Sequence, residues 1–81
     1  MMKEYAALNE AMLSEHLERA HRHVADGKRV VERQRKLVHR LERSGRDSRR
    51  AHWLLGNFED LLQIQVQGRN WLIRELARGL K

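Results

Sequence analysis

Apolar and small residues recur at alternating steps of four and three through the first half of the chain. This spacing is a heptad repeat, which places one apolar stripe along a helix and cannot arise from the period of two of a strand. The repeat runs over Leu13, Leu17, Ala20, Val24, Gly27, Val31, Gln34, Val38 and Leu41. It predicts a helix over about residues 3–43 that packs lengthwise against another helix.

The second half of the chain keeps the same steps but has a wider apolar face. Its central positions are Ala51, Leu55, Phe58, Leu62, Gln65, Arg69, Leu72 and Leu76, flanked by Leu54, Leu61, Ile73 and Leu80. A band of this width is typical of a bundle helix that contacts two neighbours. It predicts a second helix over about residues 48–80.

A turn is predicted at residues 44–47, where turn-forming residues cluster. Gly45 can adopt the left-handed conformation that ends a helix, and Asp47 or Ser48 can accept the free amide N–H groups at the start of the next one. So short a loop makes the two helices antiparallel. The expected fold is an all-α, coiled-coil-like antiparallel two-helix hairpin that forms a single domain over residues 1–81.

An isolated hairpin of this length has a small core. A chain of 81 residues gains only roughly 3 to 5 kcal/mol from a single core. The hairpin buries one stripe of each helix and leaves Val30 and Leu37, beside the first stripe, without an obvious cover. We therefore expect a homodimer that forms a four-helix bundle.

Several seam positions are small or polar. Gln34 and Gln65 stand where apolar residues would stabilise the seam more, so either they specify register and partner or they reach solvent at the edge. Ala20 and Gly27 face Gln65 and Gly68 across the seam. Either the helices approach closely there, or a side chain from another subunit fills the gap.

A second apolar line lies on the second helix, away from its core band. Trp53, Ile64 and Trp71 are spaced by 11 and 7 residues, which places them within about 20° of one another and roughly 130° from Phe58. Tryptophan is enriched at protein interfaces, which favours a subunit or partner contact. The alternative is that each indole lies over a neighbouring polar side chain.

Positive charge is concentrated at the hairpin end. Residues 28–50 include ten basic and three acidic side chains, a local net charge of +7, whereas the net charge of the whole chain is +6. Such a field attracts phosphates or an acidic protein surface, and the candidate contacts are Arg35, Arg43, Arg46, Arg49 and Arg50. The alternative is a solvated tip whose charges pair at helical spacing, such as Arg29 with Glu32 and Glu42 with Arg46.

The sequence gives little evidence for a metal site or a catalytic site. The chain has no cysteine and five histidines, none of them four residues apart, and the Glu18–His21 pair flanks the seam without a counterpart in the second helix. The few hydroxyl groups are not arranged with a base. We expect a non-enzymatic protein without metal, cofactor or small-molecule substrate, with no membrane span and a cytoplasmic location.

The most specific motif is the Ser44-Gly45-Arg46-Asp47-Ser48 turn between two heptad segments, with Arg33-Gln34-Arg35-Lys36-Leu37-Val38 before it and Leu54-Leu55 and Phe58-Glu59 after it. Over about residues 17–76 the chain resembles a set of short bacterial helical-hairpin proteins without an assigned activity. It departs from their pattern at Ser48, before Ala51 and at Gln65. The resemblance implies a bacterial hairpin and carries over no catalytic residue.

Together these features predict an interaction or scaffold module that self-associates and presents its basic tip to a partner. The alternative is sequence-nonspecific binding of nucleic acid or another polyanion through the tip.

Overall fold

The computed structural model describes residues 2–79, and the side chains of residues 9–79. Helix α1 spans Met2–Arg43 and helix α2 spans Arg49–Gly79, and the two pack against each other along their length. They form a rod of 65 × 16 × 14 Å. The predicted all-α two-helix hairpin is confirmed, and no strand occurs in residues 2–79; the end of the predicted second helix, at Leu80, lies outside the described residues.

Helix α1 ends in a Schellman motif around Gly45. The amide N–H of Gly45 donates to the Glu42 carbonyl at 3.1 Å, and that of Arg46 donates to the Leu41 carbonyl at 2.9 Å. Gly45 has a φ of 69°, the left-handed conformation that glycine adopts without steric cost. The predicted role of Gly45 in ending the first helix is therefore confirmed.

Helix α2 begins with a side-chain cap from Asp47. Its Oδ1 accepts the amide N–H of Arg49 at 3.0 Å, and the Ser48 carbonyl accepts the N–H of His52 at 2.9 Å. Of the two predicted capping residues, Asp47 supplies the side chain. Helix α2 runs without interruption through Gly56 and Gly68.

The core follows the predicted heptad of α1. Val24, Val31 and Val38, each seven residues apart, are only 2–4% exposed, and Ala51 of α2 is 7% exposed. The helices meet closely at Gly27, where a Cβ would lie 2.5 Å from Gln65 Oε1 and 3.1 Å from Leu62 Cδ1. Among the residues with described side chains these four alone are buried, and most of the other apolar residues of the seam are half-buried.

Candidate interaction surfaces

Three large apolar side chains of α2 project away from the hairpin seam. Trp53 is 68% exposed, Ile64 64% and Trp71 51%. They are the predicted second apolar line, called here the outer line. Large apolar groups aligned on a surface are a common mark of a protein contact, whereas single ones are ordinary.

Val30 and Leu37 are half-buried in the structure. Val30 lines a shallow cleft of about 240 Å³ together with Phe58 and Leu61 of α2. Helix α2 therefore covers part of Val30, which the sequence had left without a visible neighbour. Leu37 lies two helical turns further along the same side of α1.

A larger groove of about 760 Å³ opens near the free ends of the helices. Its walls include Met12, Leu13 and Ala20 from α1, and Gly68, Trp71 and Leu72 from α2. His23 and Gln65 line both this groove and the smaller cleft. The two depressions therefore adjoin on one face of the hairpin, called here the grooved face, and Trp71 of the outer line borders it.

The small seam residues lie in two different environments. At Gly27 the helices approach closely enough to leave no room for a side chain on α1. At Gly68 an added Cβ would meet nothing within 4 Å. Close approach and open space thus occur at different levels of the same seam.

Sequence reasoning missed part of the exposed apolar surface. Met12, Leu61 and Ile73 are 55%, 52% and 42% exposed, although Leu61 and Ile73 had been placed at the edges of the core band. The two helices bury only narrow stripes, because no third element within residues 2–79 packs against the edges. The width of the apolar band on α2 was the signal that these edges would remain uncovered.

The two seam glutamines have different environments. Gln34 is half-buried and donates from Nε2 to the Ala51 carbonyl at 3.0 Å, which ties α1 to the start of α2. Gln65 Oε1 is buried against Gly27 and accepts no hydrogen bond within the described part of the chain. An unpaired buried amide oxygen destabilises the fold, so this level of the seam is held by packing rather than by a polar contact.

The basic tip combines paired and unpaired arginines. Arg35 contacts Glu59 at 3.3 Å, and Arg49 contacts Asp47 at 2.8 Å. Across residues 9–79, the remaining candidates Arg43, Arg46 and Arg50 form no salt bridge and are exposed. Two of the five predicted polyanion contacts are thus partly neutralised within the chain, and three are free to meet an external anion.

The two specific ion pairs expected at helical spacing are not formed. Arg29 pairs with Asp26 instead of Glu32, one turn towards the N-terminus rather than the C-terminus. Glu42 contacts His52 Nε2 at 2.7 Å instead of Arg46, because the hairpin turn brings the first turn of α2 beside the end of α1. Glu42 and His52 therefore link the two helices at the tip.

Asp47 and Arg49 shift each other's protonation equilibria. The Arg49 guanidinium, and then its backbone N–H, hold the pKa of Asp47 below its ordinary value, and the Asp47 carboxylate raises the pKa of Arg49. Both side chains are well exposed, so solvent screens the pair. The ionised carboxylate is the form that caps α2.

The described side chains form no cluster that could hold a metal ion. Across residues 9–79, no three side chains of the types His, Asp and Glu converge on a point where an ion could be held. Glu18 and His21, the one pair with di-iron spacing, are both exposed on α1. Neither helix, over the residues searched, combines the length and apolarity needed to cross a bilayer.

A scan against protein-family models and searches of curated proteins and of solved structures find no match to this chain. The surfaces described above therefore carry the functional argument.

Proposed function

We propose that this protein is a non-enzymatic interaction module, a helical hairpin that self-associates through its exposed apolar side and presents its basic tip to a partner. The observation that carries the proposal is the outer line, where Trp53, Ile64 and Trp71 are more than half exposed. The exposed side chains of these three residues leave apolar surface in contact with water. Association would bury that surface.

The total surface area supports self-association. The chain exposes 6861 Å², whereas a compact folded monomer of its mass would expose about 5,100 Å². The excess of about 1,700 Å² is roughly twice the 800 Å² per partner of a standard protein interface. A four-helix bundle of two hairpins would cover surface of this magnitude.

Two matched substitutions test the self-association. Trp71→Ala is expected to weaken association by at least about 2 kcal/mol, roughly 30-fold in the dimer Kd, while the helix content stays unchanged because Val24, Val31 and Val38 still hold the seam. Ile73→Ala removes another exposed apolar side chain, 42% exposed, but one about 160° away around α2. It should leave the Kd nearly unchanged. Equal effects of the two substitutions on sedimentation mass against concentration would contradict the proposal.

The basic tip supports a second candidate function, the sequence-nonspecific binding of a polyanion. Arg43, Arg46 and Arg50 are exposed and unpaired within the described residues, and the first turn of α2 contains no acidic residue to offset them. Three phosphate contacts would give a slope of about −3 for log K against log salt on duplex DNA. The measurement is fluorescence anisotropy with unrelated DNA and RNA sequences at about 50 mM and about 200 mM salt.

A charge-matched control separates the tip from the overall charge. Arg43→Gln/Arg46→Gln should weaken nucleic-acid binding and lower the salt slope by about 2. Arg22→Gln/Arg74→Gln removes the same charge from exposed positions elsewhere on the helices and should have a much smaller effect. A salt concentration of about 50 mM favours such contacts. Absence of nucleic-acid binding under that condition would exclude polyanion binding and leave an acidic protein surface as the expected partner of the tip.

A further inference from the structure

The outer line belongs to a longer stripe with its own heptad-like spacing. Steps of four and three along one flank of α2 pick out Trp53, Asn57, Leu61, Ile64, Gly68, Trp71 and Glu75. Four of these are large apolar residues that are 51–68% exposed. The spacing is that of a helix whose face packs against another helix. Within the described residues α1 only borders this stripe, beside Leu61, Gly68 and Trp71.

No contact within the described residues explains why glycine occupies position 68 of this stripe. A Cβ at Gly68 would meet nothing within 4 Å, and glycine in the interior of a helix is less favourable than alanine. Gly27, by comparison, is required by its contact with Gln65. The missing side chain at Gly68 leaves a gap between Ile64 and Trp71. A side chain from a second helix would fit into that gap.

The stripe is self-complementary when two copies of α2 run antiparallel. In each antiparallel alignment, the residue numbers of two facing residues have a constant sum. A sum of 125 places Leu61 opposite Ile64 and Asn57 opposite Gly68. Trp53 and Trp71 add to 124, so they fall within one residue of the same register. In this alignment the exposed apolar residues of the stripe come level with one another. Asn57, whose Nδ2 donates to the Trp53 carbonyl at 2.9 Å, lies opposite the gap.

We propose that this flank of α2 docks a second copy of this chain in antiparallel orientation. Leu61 and Ile64 surround the two-fold axis, and Trp53 of each copy packs against Trp71 of the other. The inference rests on the proposed self-association and adds to it a surface, an orientation and a register.

Charge complementarity supports the antiparallel orientation. Residues 28–50 carry +7 and the rest of the chain −1, so a parallel dimer would bring two strongly basic tips together. The antiparallel dimer places them at opposite ends. The same register sets Arg50 of one copy opposite Glu75 of the other. Glu75 contacts Arg78 of its own chain at 3.5 Å, so Arg50 would join an existing ion pair at each end of the stripe.

The groove on the grooved face accommodates the same contact. Trp71, Leu72 and Gly68 form its α2 wall, and the antiparallel register brings Trp53 of the second copy to the level of Trp71 and Leu72. The groove volume of about 760 Å³ leaves room for an indole there. The second copy's Trp53 is therefore the occupant that we assign to the end of the groove beside Trp71.

Pulsed EPR distances between spin labels test orientation and register together. The chain has no cysteine, so Ala11→Cys and Arg46→Cys each give one labelling site per copy, near opposite ends of the rod and outside the docking stripe. Gly79 lies beside Glu10, which puts Ala11 level with about Arg78. At about 1.5 Å per residue from an axis between Leu62 and Gln63, the inter-copy distances are about 46 Å for Ala11→Cys and about 50 Å for Arg46→Cys.

Each alternative arrangement gives a different pair of distances. A parallel dimer would give roughly 20–30 Å at both sites, the width of a four-helix bundle. An antiparallel dimer shifted by one heptad would shorten one distance by about 10 Å and lengthen the other by as much. Either result would overturn the inference.

Sedimentation mass on the same labelled samples separates this inference from the proposed function. A monomer at the labelling concentration would contradict self-association and the inference with it. A dimer with the wrong distances would contradict only the surface and register proposed here. As a control, the Trp71→Ala background should lose both long distances while keeping its helix content.

Discussion

Gly27→Ala tests the closest approach between the two helices. The new Cβ would lie 2.5 Å from Gln65 Oε1 and 3.1 Å from Leu62 Cδ1. Gln65 can swing its amide away, but Leu62 is held between the helices and must shift by a few tenths of an ångström. The matched control is Gly56→Ala, also inside a helix, where the Cβ meets nothing within 4 Å.

The two substitutions should differ in their effect on stability. Alanine favours a helix interior over glycine by about 1 kcal/mol, so Gly56→Ala should stabilise by up to that amount. At Gly27 overpacking costs about 1–3 kcal/mol, which cancels or exceeds the gain. We expect Gly27→Ala to be less stable than Gly56→Ala by about 1–3 kcal/mol, or by at least about 4 °C in Tm.

The assay is urea denaturation followed by circular dichroism at one protein concentration, because self-association makes stability concentration-dependent. In a Leu62→Ala background the side chain that must shift is gone, and Gly27→Ala should become neutral or stabilising. Equal stabilisation by Gly27→Ala and Gly56→Ala in the wild-type background would refute the close approach.

Two further predictions concern hydrogen bonds. Gln34→Ala removes the 3.0 Å bond to the Ala51 carbonyl and should lower the free energy of unfolding by about 1 kcal/mol, and an unchanged urea midpoint would contradict this. Because the folded pKa of Asp47 is depressed, its contribution to stability is present above the unfolded value and is lost as pH falls through the folded one. The Tm difference between wild type and Asp47→Asn should therefore shrink below about pH 4, whereas a difference independent of pH would exclude an ionised cap.

The spacing of the apolar residues was enough to predict the backbone arrangement of the hairpin. The heptad predicts the buried positions of Val24, Val31 and Val38, because a 3.6-residue period leaves one stripe per helix for the seam. The turn follows from Gly45, whose conformation few other residues adopt. The exposure of Trp53 and Trp71 also follows from helical phase.

The side-chain contacts at the tip could not be predicted from spacing. Arg29 has acidic neighbours one turn away in both directions, and pairs of this kind differ by a few tenths of a kcal/mol. The contact of Glu42 with His52 depends on how the turn aligns the two helices. The open groove beside Gly68 likewise depends on the three-dimensional separation of the helices, which the heptad pattern does not encode.

Sedimentation equilibrium of the wild-type chain at micromolar concentrations, with helix content measured on the same samples, tests self-association most directly. The exposed Trp53, Ile64 and Trp71 predict a mass of twice the 9.7 kDa chain, or a higher multiple. A well-folded species of 9.7 kDa across that range would contradict it.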